Sequence, residues 1–177
     1  FILLSRPYTI LPWVYSRQHP PFPNPEQVYL LGSQHFMKKN YMRAKQSLEQ
    51  ALKMKNEPRT RLLLAKTLYA LGQYQDSLTT VFPVFKSFQD REAAKIIALD
   101  YAALEDWASA LIYLEHLLKA AVEVSVLNLA AECYLKLQKP KKALPLIQKS
   151  LELNPSQPHI RDLEKKIKKF ITDSSER

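Results

Sequence analysis

Small residues recur at Gly32, Ala65, Ala98 and Ala131, each 33 positions after the last. One position earlier stand Leu31, Leu64, Ile97 and Ala130. A second small series, Ala44, Ser77, Ala110 and Ala143, keeps the same spacing. Aromatics occupy Tyr41, Tyr74 and Trp107, and Pro140 closes that series. Bulky aliphatics follow at Leu48, Val81, Leu114 and Ile147, then Leu52, Phe85, Leu118 and Leu151. A fixed period of this length means stacked supersecondary units, each burying its apolar face only against a neighbour.

Each copy divides into two stretches of helical periodicity. First helices are expected over about 26–38, 58–71, 91–104 and 124–137, and second helices over about 41–54, 74–87, 107–120 and 140–153. Composition agrees: two glycines against twelve prolines among 177 residues leave little material for hairpins or phosphate-cradling loops. Asn40 and Gly72 suit the left-handed conformation that closes a helix. Asp106 suits an N-cap, and Pro140 is tolerated in a first turn. The small residues belong where the two helices of a pair cross, and the Tyr/Trp series should wedge the second helix against the first. Pro83 and Pro145 fall inside second helices, where kinks on the outer layer are expected.

These registers resemble the tetratricopeptide repeat. Leu31-Gly32 and Leu64-Ala65 match the family's small residue after Leu, and Tyr101 and Tyr134 its aromatic late in the first helix. Tyr41 and Ala44 match the opening of its second helix, and Leu151-Glu152-Leu153-Asn154-Pro155 its repeat ending. The period of 33 rather than 34, the missing early Trp and a third turn without Gly depart from the pattern. The resemblance covers residues 25–155. It implies an all-α, right-handed solenoid of four helix pairs whose first helices line a concave groove.

The domain plan follows. Residues 1–24 are expected to form an extended arm, since six of the prolines lie between Pro7 and Pro25. Repeats occupy about 25–57, 58–90, 91–123 and 124–155. Ser156 is expected to cap a final helix over 156–171, with a polar tail at 172–177. Ile160, Leu163, Ile167, Phe170 and Ile171 would cover the last repeat, while Arg161, Lys165, Lys166, Lys168 and Lys169 face water. Such a basic amphipathic helix can also lie on an anionic membrane or enter a partner's groove.

The formal charge of +9 is unevenly spread. Residues 26–66 carry nine Lys/Arg and three Asp/Glu, residues 76–132 four and nine, and residues 133–170 ten and three. The acidic middle interrupts the positive stripe a nucleic-acid backbone would follow, so nucleic acid is the third-ranked partner. Reactive chemistry finds no support. His19, His35, His116 and His159 are scattered, Cys133 stands alone, and no Walker, nucleophile-elbow or dinucleotide motif is present. No enzyme activity, cofactor, metal or small-molecule substrate is expected.

The reading is a docking adaptor for a protein partner within a larger assembly. Groove positions implied by the resemblance are Tyr29, Ser33, Phe36 and Met37, then Arg59, Leu62, Lys66 and Tyr69. Lys95, Leu99, Asn128, Glu132 and Lys136 complete the set. Phe36 and Tyr69 are equally expected as cover for neighbouring repeats. Family members that grip acidic chaperone tails pair Lys with Asn in the groove; Leu99 follows Lys95 one turn on, and Glu132 follows Asn128, so that grip is not expected. Phe1, Tyr8, Trp13, Tyr15 and Phe22 in the arm would attach to a partner or to the repeats. The rival is a membrane-surface role, in which the arm trails a preceding anchor and the basic final helix adds charge. In that case the chain is membrane-associated rather than cytoplasmic.

Overall fold

The computed structural model describes residues 23–175, and the expected arm lies outside them apart from its last two residues. Nine helices occur among the described residues: α1 Pro25–Met37, α2 Tyr41–Met54, α3 Pro58–Ala70, α4 Tyr74–Phe88, α5 Arg91–Ala103, α6 Trp107–Ala120, α7 Val124–Lys136, α8 Pro140–Leu153 and α9 Pro158–Ser175. First helices begin at 25, 58, 91 and 124 and second helices at 41, 74, 107 and 140, so the 33-residue period is kept in both. Proline supplies the first residue of α1, α3, α8 and α9, where its missing N–H would be unpaired anyway.

The turns inside each copy share one geometry. Lys39, Gly72, Glu105 and Gln138, again 33 apart, have φ of 60°, 74°, 60° and 57°. The following amides, of Asn40, Gln73, Asp106 and Lys139, donate back to the carbonyls of His35, Leu68, Tyr101 and Tyr134 at 2.8–2.9 Å. This is the six-to-one bond of a Schellman closure, which uses the left-handed residue to satisfy orphan carbonyls. Gly72 takes the left-handed place as expected. Asn40 does not: its φ is −83°, and Lys39 turns the chain one residue earlier. The fixed position of the second helix decides this, because a left-handed Asn40 would displace Tyr41 from its register.

Asp106 caps α6, its carboxylate accepting from the Ser109 amide at 3.1 Å. Pro83 and Pro145 sit exposed inside α4 and α8, and both helices continue through them. Ser156 is not the cap of the last helix. The Arg161 amide donates to the Gln157 carbonyl, so Gln157 holds that place, and α9 extends four residues beyond the expected end at Ile171. Thr172 supports this extension by donating its hydroxyl to the Lys168 carbonyl at 3.0 Å.

The core is a chain of four clusters, each bridging neighbours. Ala44 and Leu48 of the first copy meet Leu64 and Leu68 of the second. Leu78, Val81 and Val84 meet Ala93, Ile96 and Ile97, and Leu111, Leu114 and Leu117 meet Val126, Ala130 and Cys133. Ala143 and Ile147 meet Ile160 and Ile167 of α9. Nearest-neighbour burial of this kind is the solenoid arrangement. Leu31 shows the consequence at an end: it is 48% exposed, whereas Leu64, Ile97 and Ala130 at the same register are at most 4%. First helices also touch one another, α1 with α3 and α3 with α5, whereas no pair of second helices makes contact of that extent. The first helices are therefore the inner, tighter layer of the curve.

Candidate partner-binding surface

The inner layer is laced by ion pairs that cross from each copy to the next. Glu26 on α1 pairs with Arg59 on α3, whose guanidinium also reaches Glu57 at 2.7 Å and lies 4.7 Å from the Tyr29 ring centre. Lys66 on α3 meets Glu92 on α5 at 2.8 Å. Arg91 and Lys95 on α5 both reach Glu123, at 2.6 and 2.9 Å. Hydrogen bonds from Lys95 and Arg91 hold the Glu123 carboxyl below its ordinary range, and those from Lys55 and Arg59 do the same for Glu57. Exposed pairs like these contribute little stability singly. Their larger effect is to neutralise the inner cations.

Two of these acids, Glu57 and Glu123, belong to a further register of the repeat. Asn24, Glu57, Asp90 and Glu123 each precede a first helix, 33 apart. Asn24 forms a capping box with Gln27, and Asp90 accepts from the Ala93 amide at 2.8 Å. Glu57 and Glu123 make no cap bond and turn to the cations instead. Alternating sign at Glu26, Arg59 and Glu92, also 33 apart, was the signal available for the ladder.

The expected groove residues fall into distinct settings. Phe36 and Tyr69 are half-buried against the aromatics that open their own copy's second helix, Tyr41 at 5.6 Å and Tyr74 at 5.4 Å between ring centres. Leu62 packs on the second core cluster. Lys136 stands 5.5 Å from the Trp107 ring centre. Ser33 is half-buried, Met37 and Glu132 are exposed, and Met37 is the last residue of α1. Asn128 is drawn into the junction with α9: its amide donates to Gln157 at 2.8 Å and accepts from the Ser150 hydroxyl at 2.6 Å. Gln157 in turn donates to the Ser150 and Asn154 carbonyls. Leu99 is exposed at an apolar cleft of about 100 Å³, lined with Lys95, Ser125 and Leu129 from the first helices and floored by Leu114, Leu117 and Val126. A cavity of ~150 Å³ accepts benzene, so this one suits a single aliphatic side chain. Phe1, Tyr8, Trp13, Tyr15 and Phe22 lie outside the described residues.

Burial pushes the Cys133 thiol up to about 11, leaving it protonated and unreactive at neutral pH. The hydrogen bond from Tyr134 to Glu115, at 2.6 Å, raises the phenol to about 12. Among the described residues no cluster of His, Cys, Asp and Glu is arranged to hold a metal. No helix among them is long and apolar enough to cross a membrane.

Two family models match the chain: "Anaphase-promoting complex, cyclosome, subunit 3" over residues 14–84 and "Tetratricopeptide repeat" over residues 97–158. The chain is built of repeats of the tetratricopeptide type. Solved members of similar fold include YrrB, described as a TPR protein with an unusual peptide-binding site, at 20% identity and a TM-score of 0.73, covering 80% of this chain and 74% of that one. MamA residues 41 to the end from Desulfovibrio magneticus RS-1 has 19% identity and a TM-score of 0.74, with 86% and 93% covered. A tetratricopeptide-repeat protein from Parabacteroides merdae has 18% identity and a TM-score of 0.71, with 86% and 67% covered. No curated protein sequence matches the chain. The tetratricopeptide-repeat fold generally mediates protein–protein interaction. At these identities the likeness concerns fold.

Proposed function

We propose that this tetratricopeptide-repeat protein is a non-catalytic docking subunit that holds a segment of a partner protein along its inner layer. The observation that carries the reading is the open apolar cleft at Leu99 and Leu129, on the face where first helices converge. A partner side chain entering it would bury aliphatic surface between α5 and α7. The surrounding ladder already pairs Arg59, Lys66, Arg91 and Lys95 with carboxylates. An acidic tail would have to displace those partners, so the segment bound there is aliphatic or aromatic with little net charge. Tyr29, Met37 and Glu132 extend the same surface toward its ends.

Co-purification with quantitative mass spectrometry tests this. Leu99→Asp and Leu129→Asp place a charge in the cleft and should reduce recovery of the partner by about tenfold or more, while Ile112→Asp on α6 leaves it unchanged. Undiminished recovery with both cleft variants, each shown folded by circular dichroism, would overturn inner-layer docking.

The membrane-surface alternative finds no support in α9. Ile160 and Ile167 are buried against the fourth copy, with Leu163 and Ile171 packed beside them. The apolar stripe that would enter a bilayer is thus occupied in capping the solenoid.

A further inference from the structure

Arg59, Lys66, Arg91 and Lys95 on the inner layer are paired with carboxylates, but four lysines at the C-terminal end are not. Lys139 and Lys141 at the start of α8, and Lys166 and Lys169 on α9, are all exposed, and among the described residues none makes an ion pair. Their neighbours differ: Lys165 pairs with Asp162 and Lys168 with Glu164. Even with Asp173 one turn beyond Lys169 set against them, the four leave a net positive charge. Between α7, α8 and α9 lies a cleft of about 520 Å³ lined by Leu135, Gln138, Pro140, Lys166, Ile167 and Phe170. Its volume is within the usual range for a binding cleft. Phe170, 61% exposed, lines this cleft beside Ile167.

We infer that this end of the solenoid is a second docking site, which takes an acidic peptide segment carrying one bulky apolar side chain. The apolar residue enters between Leu135, Pro140 and Phe170, and carboxylates on either side meet Lys166 and Lys169 from α9 and Lys139 and Lys141 from α8. Charge complementarity selects the occupant. Lys166 lines the cleft, and Lys139, Lys141 and Lys169 are sequence neighbours of its lining residues Gln138, Pro140 and Phe170. Cations without internal counter-ions beside a largely apolar cleft favour a ligand that supplies both carboxylates and a side chain to bury. A membrane fits less well, because the apolar stripe of α9 is spent on the fourth copy. The site is separate from the inner-layer cleft, so either can fail without the other.

Fluorescence anisotropy on the full chain tests it, with a labelled peptide of six Asp/Glu around a central Leu, its Asn/Gln counterpart, and a version with Ser for Leu. The acidic Leu peptide should bind, weaken as salt rises, and lose about tenfold or more in affinity when either its carboxylates or its Leu is replaced. Lys166→Gln with Lys169→Gln, and separately Phe170→Ala, should each weaken it several-fold. Lys86→Gln on α4 and Leu99→Asp should not. No binding at millimolar peptide, or binding indifferent to both C-terminal variants, overturns the inference. So does co-sedimentation with phosphatidylserine vesicles that depends on Lys166 and Lys169 while the peptide fails to bind.

Discussion

Leu48 occupies the space that a Cβ on Gly32 would need. A Cβ built there lies 2.7 Å from Leu48 Cγ and 2.8 Å from Cδ2, and Leu48 is fully buried. The later copies place Ala65, Ala98 and Ala131 at the Gly32 register, facing Val81, Leu114 and Ile147. Gly32→Ala should therefore destabilise the chain, because overpacking costs about 1–3 kcal/mol and the gain in helix propensity offsets only about 1. Adding Leu48→Val copies the Ala65–Val81 combination of the second repeat. The double variant should recover most of the lost urea midpoint; a double variant no better than the single one would show that the crossing is not what limits this site.

Three of the four left-handed turn residues carry side chains. Glu105→Gly should stabilise the third turn by roughly 0.5–1 kcal/mol, since Gly adopts positive φ without the Cβ penalty. Gly72→Ala should cost about 1 kcal/mol, and through backbone strain alone, because nothing lies within 4 Å of the added Cβ. Thermal melts of both variants check the pair of opposite shifts.

Asp100 on α5 is fully buried, and neither carboxylate oxygen has a hydrogen-bond partner among the described residues. Thr67 and Cys133 hold the same register in neighbouring copies without charge. The Ser77 hydroxyl, which could steady the carboxylate, donates to the Ala65 carbonyl at 3.0 Å. Burial pushes the Asp100 carboxyl up to about 7. The unfolded chain releases this proton near pH 4, so the folded state binds more protons between about 4 and 7. Stability from this group is full below that window and declines as pH rises through it, by an amount on the order of a few kcal/mol. Asp100→Asn should flatten the dependence of Tm on pH between 4 and 8 and raise Tm at pH 8. A parallel decline in both proteins would contradict the assignment.

Asn128, Ser150 and Gln157 join α7, α8 and the turn before α9. Ser150 and Gln157 are buried, so Asn128→Ala leaves polar groups unsatisfied at a cost of about 1–3 kcal/mol. Hydrogen exchange should quicken in residues 158–173 first, with α1 to α4 little changed. Uniform acceleration along the chain would argue against a local junction.

Much of this fold was legible because identical spacing in several registers constrains helices more tightly than propensity does. Tyr41, Tyr74 and Trp107 marked the second-helix starts to the residue. Asn40 misled because its intrinsic tolerance of positive φ is real, while the conformation was imposed on Lys39 by the geometry of the turn. Ser156 misled similarly, since Gln157 was captured by Ser150 and Asn128 across the junction. The candidate surface was less legible. Arg59, Lys66 and Lys95 read as available anchors, and only the stacking of copies shows that Glu26, Glu92 and Glu123 meet them. Asn128 faced the same limit: periodicity assigns a face, but not which neighbour claims an amide.

Photo-crosslinking tests the docking account most directly. A benzophenone amino acid at Leu99 on the inner layer, compared with one at Ile112 on the outer, reports which surface the partner touches. The account predicts partner adducts from Leu99, suppressed by Leu129→Asp, and none from Ile112. Equal adducts from both positions, or adducts from Ile112 alone, would contradict it.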